Sequence, residues 1–70
     1  MNHLLFAHEV VGMRGIISKK RGRRPFAEVT HGTHKSSFRA SNKEGYPLKN
    51  GDHVLIIESK LHTDVYVERL

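Results

Sequence analysis

The run Val10 to Ile17, VVGMRGII, is apolar on both strand parities and is interrupted by glycine at positions 12 and 15. Successive side chains of a strand point to opposite faces, so Val11, Met13 and Ile17 share one side while Val10 and Ile16 share the other. A flat strand would leave one of these sets in water. Glycine removes the Cβ where a strand coils sharply or another backbone comes close, and small barrels close by that device. The run therefore predicts a bent first strand, from about Val10 to Lys19, with the rest of the chain wrapped around it.

The chain has little else with which to hold an interior. Its 70 residues make one domain, and a domain of that size buries only about 60% of its unfolded surface. Cysteine is absent, which excludes disulfides and thiolate metal sites. With two tyrosines, three phenylalanines and no tryptophan, the core has to be built from Val, Ile and Leu. Twelve basic against seven acidic residues give a formal charge of +5, which favours anionic partners. Nucleic acid and an anionic membrane surface both fit that balance, and charge alone does not separate them. The N-terminal cluster Leu4-Leu5-Phe6-Ala7 is far short of the roughly 20 apolar residues that span a bilayer. It also lacks the basic flank and cleavage site of a secretory leader, so the chain as given is expected to be soluble.

Residues 1–9 carry no clear period and are expected to form a flexible or weakly ordered lead-in, with residues 10–70 as the domain. A helical turn or edge strand there would tuck Leu5 or Phe6 against the rest. After the first strand, Lys19 to Arg24, KKRGRR, gathers five positive charges around Gly22 and reads as a solvated hairpin loop. Phe26 to His31 is the second strand. Gly32-Thr33 is the two-residue turn that a hairpin prefers, and His34 to Ser41 returns as the third strand with Phe38 and Ala40 inward. The segment Asn42 to Asp52, NKEGYPLKNGD, is the longest connection, with Leu48 as an apolar plug. His53 to Ser59 is the fourth strand, Ser59 to Leu61 the turn, and His62 to Glu68 the fifth strand, with Tyr66 outward. Val11, Ile17, Val29, Phe38, Val54, Ile56, Val65 and Val67 are the expected core. Leu55 and Ile57 need cover from elsewhere, for which the lead-in is the candidate. Five short strands in this order predict an all-β, small five-stranded OB-fold-like Greek-key barrel; the long third connection favours it over an SH3-like barrel.

The inventory of reactive groups points away from catalysis. No serine sits in a G-x-S-x-G elbow or an S-x-x-K pattern, and Glu28, Glu58 and Glu68 read as strand-surface residues. His31 and His34 flank the Gly32-Thr33 turn and are expected to face each other across the hairpin. They lack the third and fourth ligands of a stable metal site, so neither metal nor cofactor is expected. The candidate contacts for an anionic or protein partner are Lys19, Lys20, Arg21, Arg23, Arg24, Arg39 and Tyr66. An OB barrel binds single-stranded nucleic acid by stacking bases on exposed aromatics along a basic groove. With Phe26 and Phe38 assigned to the core, Tyr46 and Tyr66 are the platforms for that alternative.

A family resemblance adds to this reading. The segments Val11-Gly12-Met13-Arg14-Gly15, Pro25-Phe26-Ala27-Glu28-Val29, Phe38-Arg39-Ala40-Ser41, Leu48 through Glu58 and Val65-Tyr66-Val67-Glu68 together resemble the soluble C-terminal domain of NfeD-like proteins, over roughly residues 10–70. Each segment is degenerate alone, and their order and spacing carry the likeness. The resemblance implies an OB-fold barrel without catalytic activity, tethered to a membrane in the full-length context and working as a scaffold with flotillin- or stomatin-like partners. The chain departs from the family pattern in lacking membrane segments and in its strongly basic KKRGRR block, which keeps an anionic membrane surface or a nucleic acid among the expected partners.

Overall fold

The computed structural model describes residues 6–70. It contains β1 (Arg14–Ser18), β2 (Phe26–His31), β3 (His34–Ser41), β4 (His53–Leu61) and β5 (Asp64–Arg69), preceded by a 3-10 turn, Ala7–Val10. The strands close a barrel in the order β1-β2-β3-β5-β4, with β4 pairing back onto β1. Every neighbouring pair is antiparallel except β3 and β5. This is the expected all-β, OB-fold-like barrel. No described helix is long and apolar enough to cross a membrane.

Closure depends on β1, in which Ile16 to Ser18 pair with β2 and Arg14 to Ile16 pair with β4. Ile16 lies opposite Glu28 of β2 and opposite His53 of β4. Gly15 makes the tight packing at this point feasible: a Cβ built on it would stand 3.2 Å from the Glu28 carbonyl oxygen and 3.5 Å from Val29 Cγ2. Gly12 serves differently. Its φ of +91° reverses the chain before the strand, and its N–H donates to the Ile56 carbonyl at 2.7 Å, extending the contact with β4.

The first strand is shorter than the apolar run suggests. Val10 belongs to the 3-10 turn and is fully buried, whereas Val11 is 43% exposed and leaves the expected core. The turn between Phe6 and Gly12 inverts the strand parity on which the expectation for Val11 was based. The rest of the expected core holds: Ile17, Val29, Phe38, Val54, Ile56, Val65 and Val67 pack in one cluster with Ala7, Val10, Ala27, Ala40 and Leu48. From Ala7 onward the lead-in is therefore part of the barrel, with the Ala7 N–H bonded to the His62 carbonyl. Phe6 remains exposed, and Leu5 lies outside the described residues.

The connection between β3 and β4 is folded against the barrel. Leu48 is buried, and the Ile17 N–H and carbonyl pair with the Asp52 carbonyl and the Gly51 N–H at 2.8 Å each. The Asn42 side chain braces the connection, its amide nitrogen donating to the Tyr46 carbonyl and its amide oxygen accepting the Tyr46 N–H. Ile57 stays exposed and borders a shallow hollow with Asn42, Lys43 and Tyr46 of this connection, while Leu55 is half-buried. Two register shifts mark β4, between Ile56 and Glu58 and between Ser59 and Leu61. They carry the strand past Ser59, so Leu61 still pairs with Asp64; the turn is His62-Thr63 and β5 begins at Asp64. Each bulge leaves a residue of β4 unpaired and sharpens the local twist, and pairing with β5 resumes beyond it.

Replacing the buried Ile56 by alanine is expected to cost about 2 to 5 kcal/mol in urea unfolding. The same change at Val11 should stay within about 0.5 kcal/mol, as at other surface positions. Equal losses at the two sites would contradict the assigned interior. Gly15→Val should destabilise through collision with the Glu28 carbonyl, and Gly12→Ala through backbone strain of about 1 to 3 kcal/mol.

Candidate functional site

The outer wall of β1, β2 and β3 carries the chain's most distinctive surface. Strand pairing sets Ser18, Phe26 and Arg39 in one row across it, and Ile16, Glu28 and Ser37 in the next. Ala27 and Val29 point inward, so the alternation of β2 puts Phe26 and Glu28 on the outside. Phe26 is half-buried and does not join the core to which it was assigned. It lines a concavity of about 280 Å³ together with Ser18, Lys20, Arg23, Arg24, Glu28 and Ser37. A second, more open depression, of about 640 Å³, shares Phe26, Arg23 and Arg24 and extends to Arg39. Phe26 and the two arginines thus lie between two adjoining hollows.

The loop that supplies these arginines has its own local logic. The Arg23 N–H bonds to the Lys20 carbonyl at 3.0 Å and Gly22 has a φ of +74°. A turn with glycine at its third position requires that conformation. Arg39 reaches the same surface from a different part of the chain. There β3 passes from one partner to the next: the Ala40 N–H bonds to the Pro25 carbonyl and the Arg39 N–H to the Thr63 carbonyl. The hand-over places Arg39 beside the start of β2.

Four of the seven expected contact residues, Lys20, Arg23, Arg24 and Arg39, border these hollows. Lys19 and Arg21 are exposed on the same loop but border neither hollow, and the Lys19 N–H bonds to Asn50 Oδ1 at 3.0 Å. Tyr66 stands apart on β5, paired with Ser41 and Glu58. Its ring is flanked by the ammonium groups of Lys43 at 5.2 Å and Lys60 at 5.7 Å, a cation–π arrangement. Lys43 also bonds to Glu58 at 2.8 Å, and that hydrogen bond with the carboxylate's charge holds its ammonium above the ordinary lysine range. Tyr46 is committed internally: its hydroxyl accepts the Arg69 N–H at 2.8 Å, and the Arg69 guanidinium lies 4.5 Å from its ring centroid.

None of Lys20, Arg23, Arg24 and Arg39 has an ion-pair partner among the described residues, whereas Lys43 pairs with Glu58 and Arg69 with Asp52. Negative charge nearby comes from Glu28, which borders the smaller hollow, and from Asp64, paired with Arg39 across the ladder. His31 and His34 do face each other, with ring centroids 5.9 Å apart. Among the described residues no three histidine or carboxylate side chains gather as a metal-holding group. The arrangement can hold anionic groups against cations while offering a flat apolar ring beside them. Phe26 was missed as a surface residue although its parity with Glu28 already signalled it. Comparison with protein-family models, with curated proteins and with solved structures finds no match.

Replacing Lys19, Lys20, Arg21, Arg23 and Arg24 together by serine should leave the urea midpoint unchanged or slightly raised. Exposed like charges contribute little stability and repel one another. A large loss would mean that the loop is part of what holds the barrel closed.

Proposed function

We propose that this chain is a noncatalytic OB-fold interaction domain that binds an anionic partner against the wall around Phe26. The observation that carries this reading is the convergence of Lys20, Arg23, Arg24 and Arg39, from two elements far apart in sequence, on adjoining hollows. Like charges held close together oppose folding, and a bound anion relieves that repulsion. The NfeD-type setting rests on the order and spacing of the segments that resemble that family over residues 10–70. In that setting the domain is a scaffold in a membrane assembly, beside flotillin- or stomatin-like proteins.

Calorimetric titration with an inorganic polyphosphate chain tests the anion reading. Binding should weaken as salt rises and fall at least about tenfold when Arg23, Arg24 and Arg39 are changed to serine. Absence of binding at low salt, or equal binding by that variant, would overturn it. For the scaffold setting, a purified stomatin-like protein should bind the native chain; failure to bind removes that setting.

A further inference from the structure

We infer that the anionic partner of this wall is a single-stranded nucleic acid, with Phe26 as the ring on which a base stacks; this rests on the anion-binding reading and names its ligand. Charge alone would suit any polyanion, so the argument turns on what lies between the charges. Phe26 is half-buried in the row Ser18, Phe26, Arg39 and lines both hollows, so it offers an apolar ring among the cations. A phosphate has no use for such a ring, whereas every nucleobase has a π face that stacks on one.

The groups around the ring match the rest of a nucleotide. Arg23 and Arg24 border both hollows and Arg39 the more open one, so cations flank Phe26 along a path that a phosphodiester backbone can follow. The Glu28 carboxylate opposes a phosphate but accepts hydrogen bonds from exocyclic amino groups, and the hydroxyls of Ser18 and Ser37 both donate and accept. The recess matters as well: an aromatic that anchors a protein in a bilayer projects from the surface, and Phe26 lies within a concavity instead. Unpaired bases reach such a ring, whereas those of a duplex are stacked within the helix. Tyr66 is not part of this path, because Lys43 and Lys60 already flank its ring.

The test uses the whole chain and three probes: a twelve-nucleotide oligodeoxycytidylate, whose bases carry exocyclic amino groups, a backbone of the same length without bases, and vesicles of phosphatidylglycerol in phosphatidylcholine, the first two labelled with fluorescein for affinity and unlabelled for tryptophan emission. The oligonucleotide should bind with a salt slope of about −3, as four neutralised phosphates on a single strand require. The baseless backbone should bind about 5- to 150-fold more weakly, the equivalent of one stacked base. Phe26→Ala should bring the oligonucleotide down to the level of the baseless backbone. The chain contains no tryptophan, so Phe26→Trp supplies a single reporter that keeps the platform. It should retain binding, and its emission should be quenched by the oligonucleotide and unaffected by the baseless backbone. If Phe26→Ala fails to fold, the tryptophan variant and the comparison of the two backbones decide the matter. Equal affinity for both backbones, with no quenching, overturns the base-stacking inference and leaves the anion reading standing. Tighter binding to vesicles than to the oligonucleotide, with a blue shift of the tryptophan emission, overturns it in favour of a membrane surface. Binding to none of the probes at low salt removes both the inference and the reading beneath it.

Discussion

The whole architecture depends on β1 having a neighbour on each side within five residues. Ile16 pairs with Glu28 and with His53, and Gly15 lets the Glu28 carbonyl come close where a Cβ would have only 3.2 Å. A Cβ there would have to push the Glu28 carbonyl away by a few tenths of an ångström, against the ladder by which β1 meets β2. Closing the barrel buries Ile17, Val29, Val54, Ile56, Val65 and Val67 almost completely in a chain with no disulfide to assist. The largely aliphatic core is enough because the barrel closes on itself and is covered by the β3–β4 connection through Leu48 and by the N-terminal 3-10 turn through Ala7 and Val10.

The same closure creates the functional wall. Because β3 leaves β2 for β5 near Arg39 and Ala40, a residue in the middle of the chain is brought beside the loop between β1 and β2. Neither contribution suffices by itself. The loop contributes charge on a tight turn, and β2 and β3 contribute a firm floor on which Phe26 and Arg39 have fixed places. An anion approaching this surface meets cations from two directions, which a mobile basic tail would not provide.

Much of this was legible in the sequence where the chemistry is local. Phe26–His31, the Gly32-Thr33 turn and His34–Ser41 appear with the expected bounds, because alternation and a hairpin dipeptide both operate over a few residues. The apolar pair Val10-Val11 misled, since an apolar run has no period to distinguish a strand from a buried turn. The end of β4 misled for a related reason. Its register shifts at Ile56/Glu58 and Ser59/Leu61 disturb alternation, and no breaker residue marks the continuation through Lys60 and Leu61. At the site, the cations of the loop and Arg39 were legible as charges, but their meeting was not, because it is set by strand order. Phe26 is the instructive case: its parity with Glu28 places it on the outer face, whereas its size and apolarity favour the interior. The lysines around Tyr66 come from positions 43 and 60, too far apart in sequence for any local pattern to reveal.

Backbone amide chemical-shift mapping by NMR, with the single-stranded oligonucleotide added stepwise to the native chain, tests the central claim most directly. The account predicts that the largest changes fall on Ser18, Arg23, Arg24, Phe26, Ser37 and Arg39, while Lys43, Lys60 and Tyr66 change little. Changes centred on β4 and β5, or spread evenly over all the lysines and arginines, would contradict it.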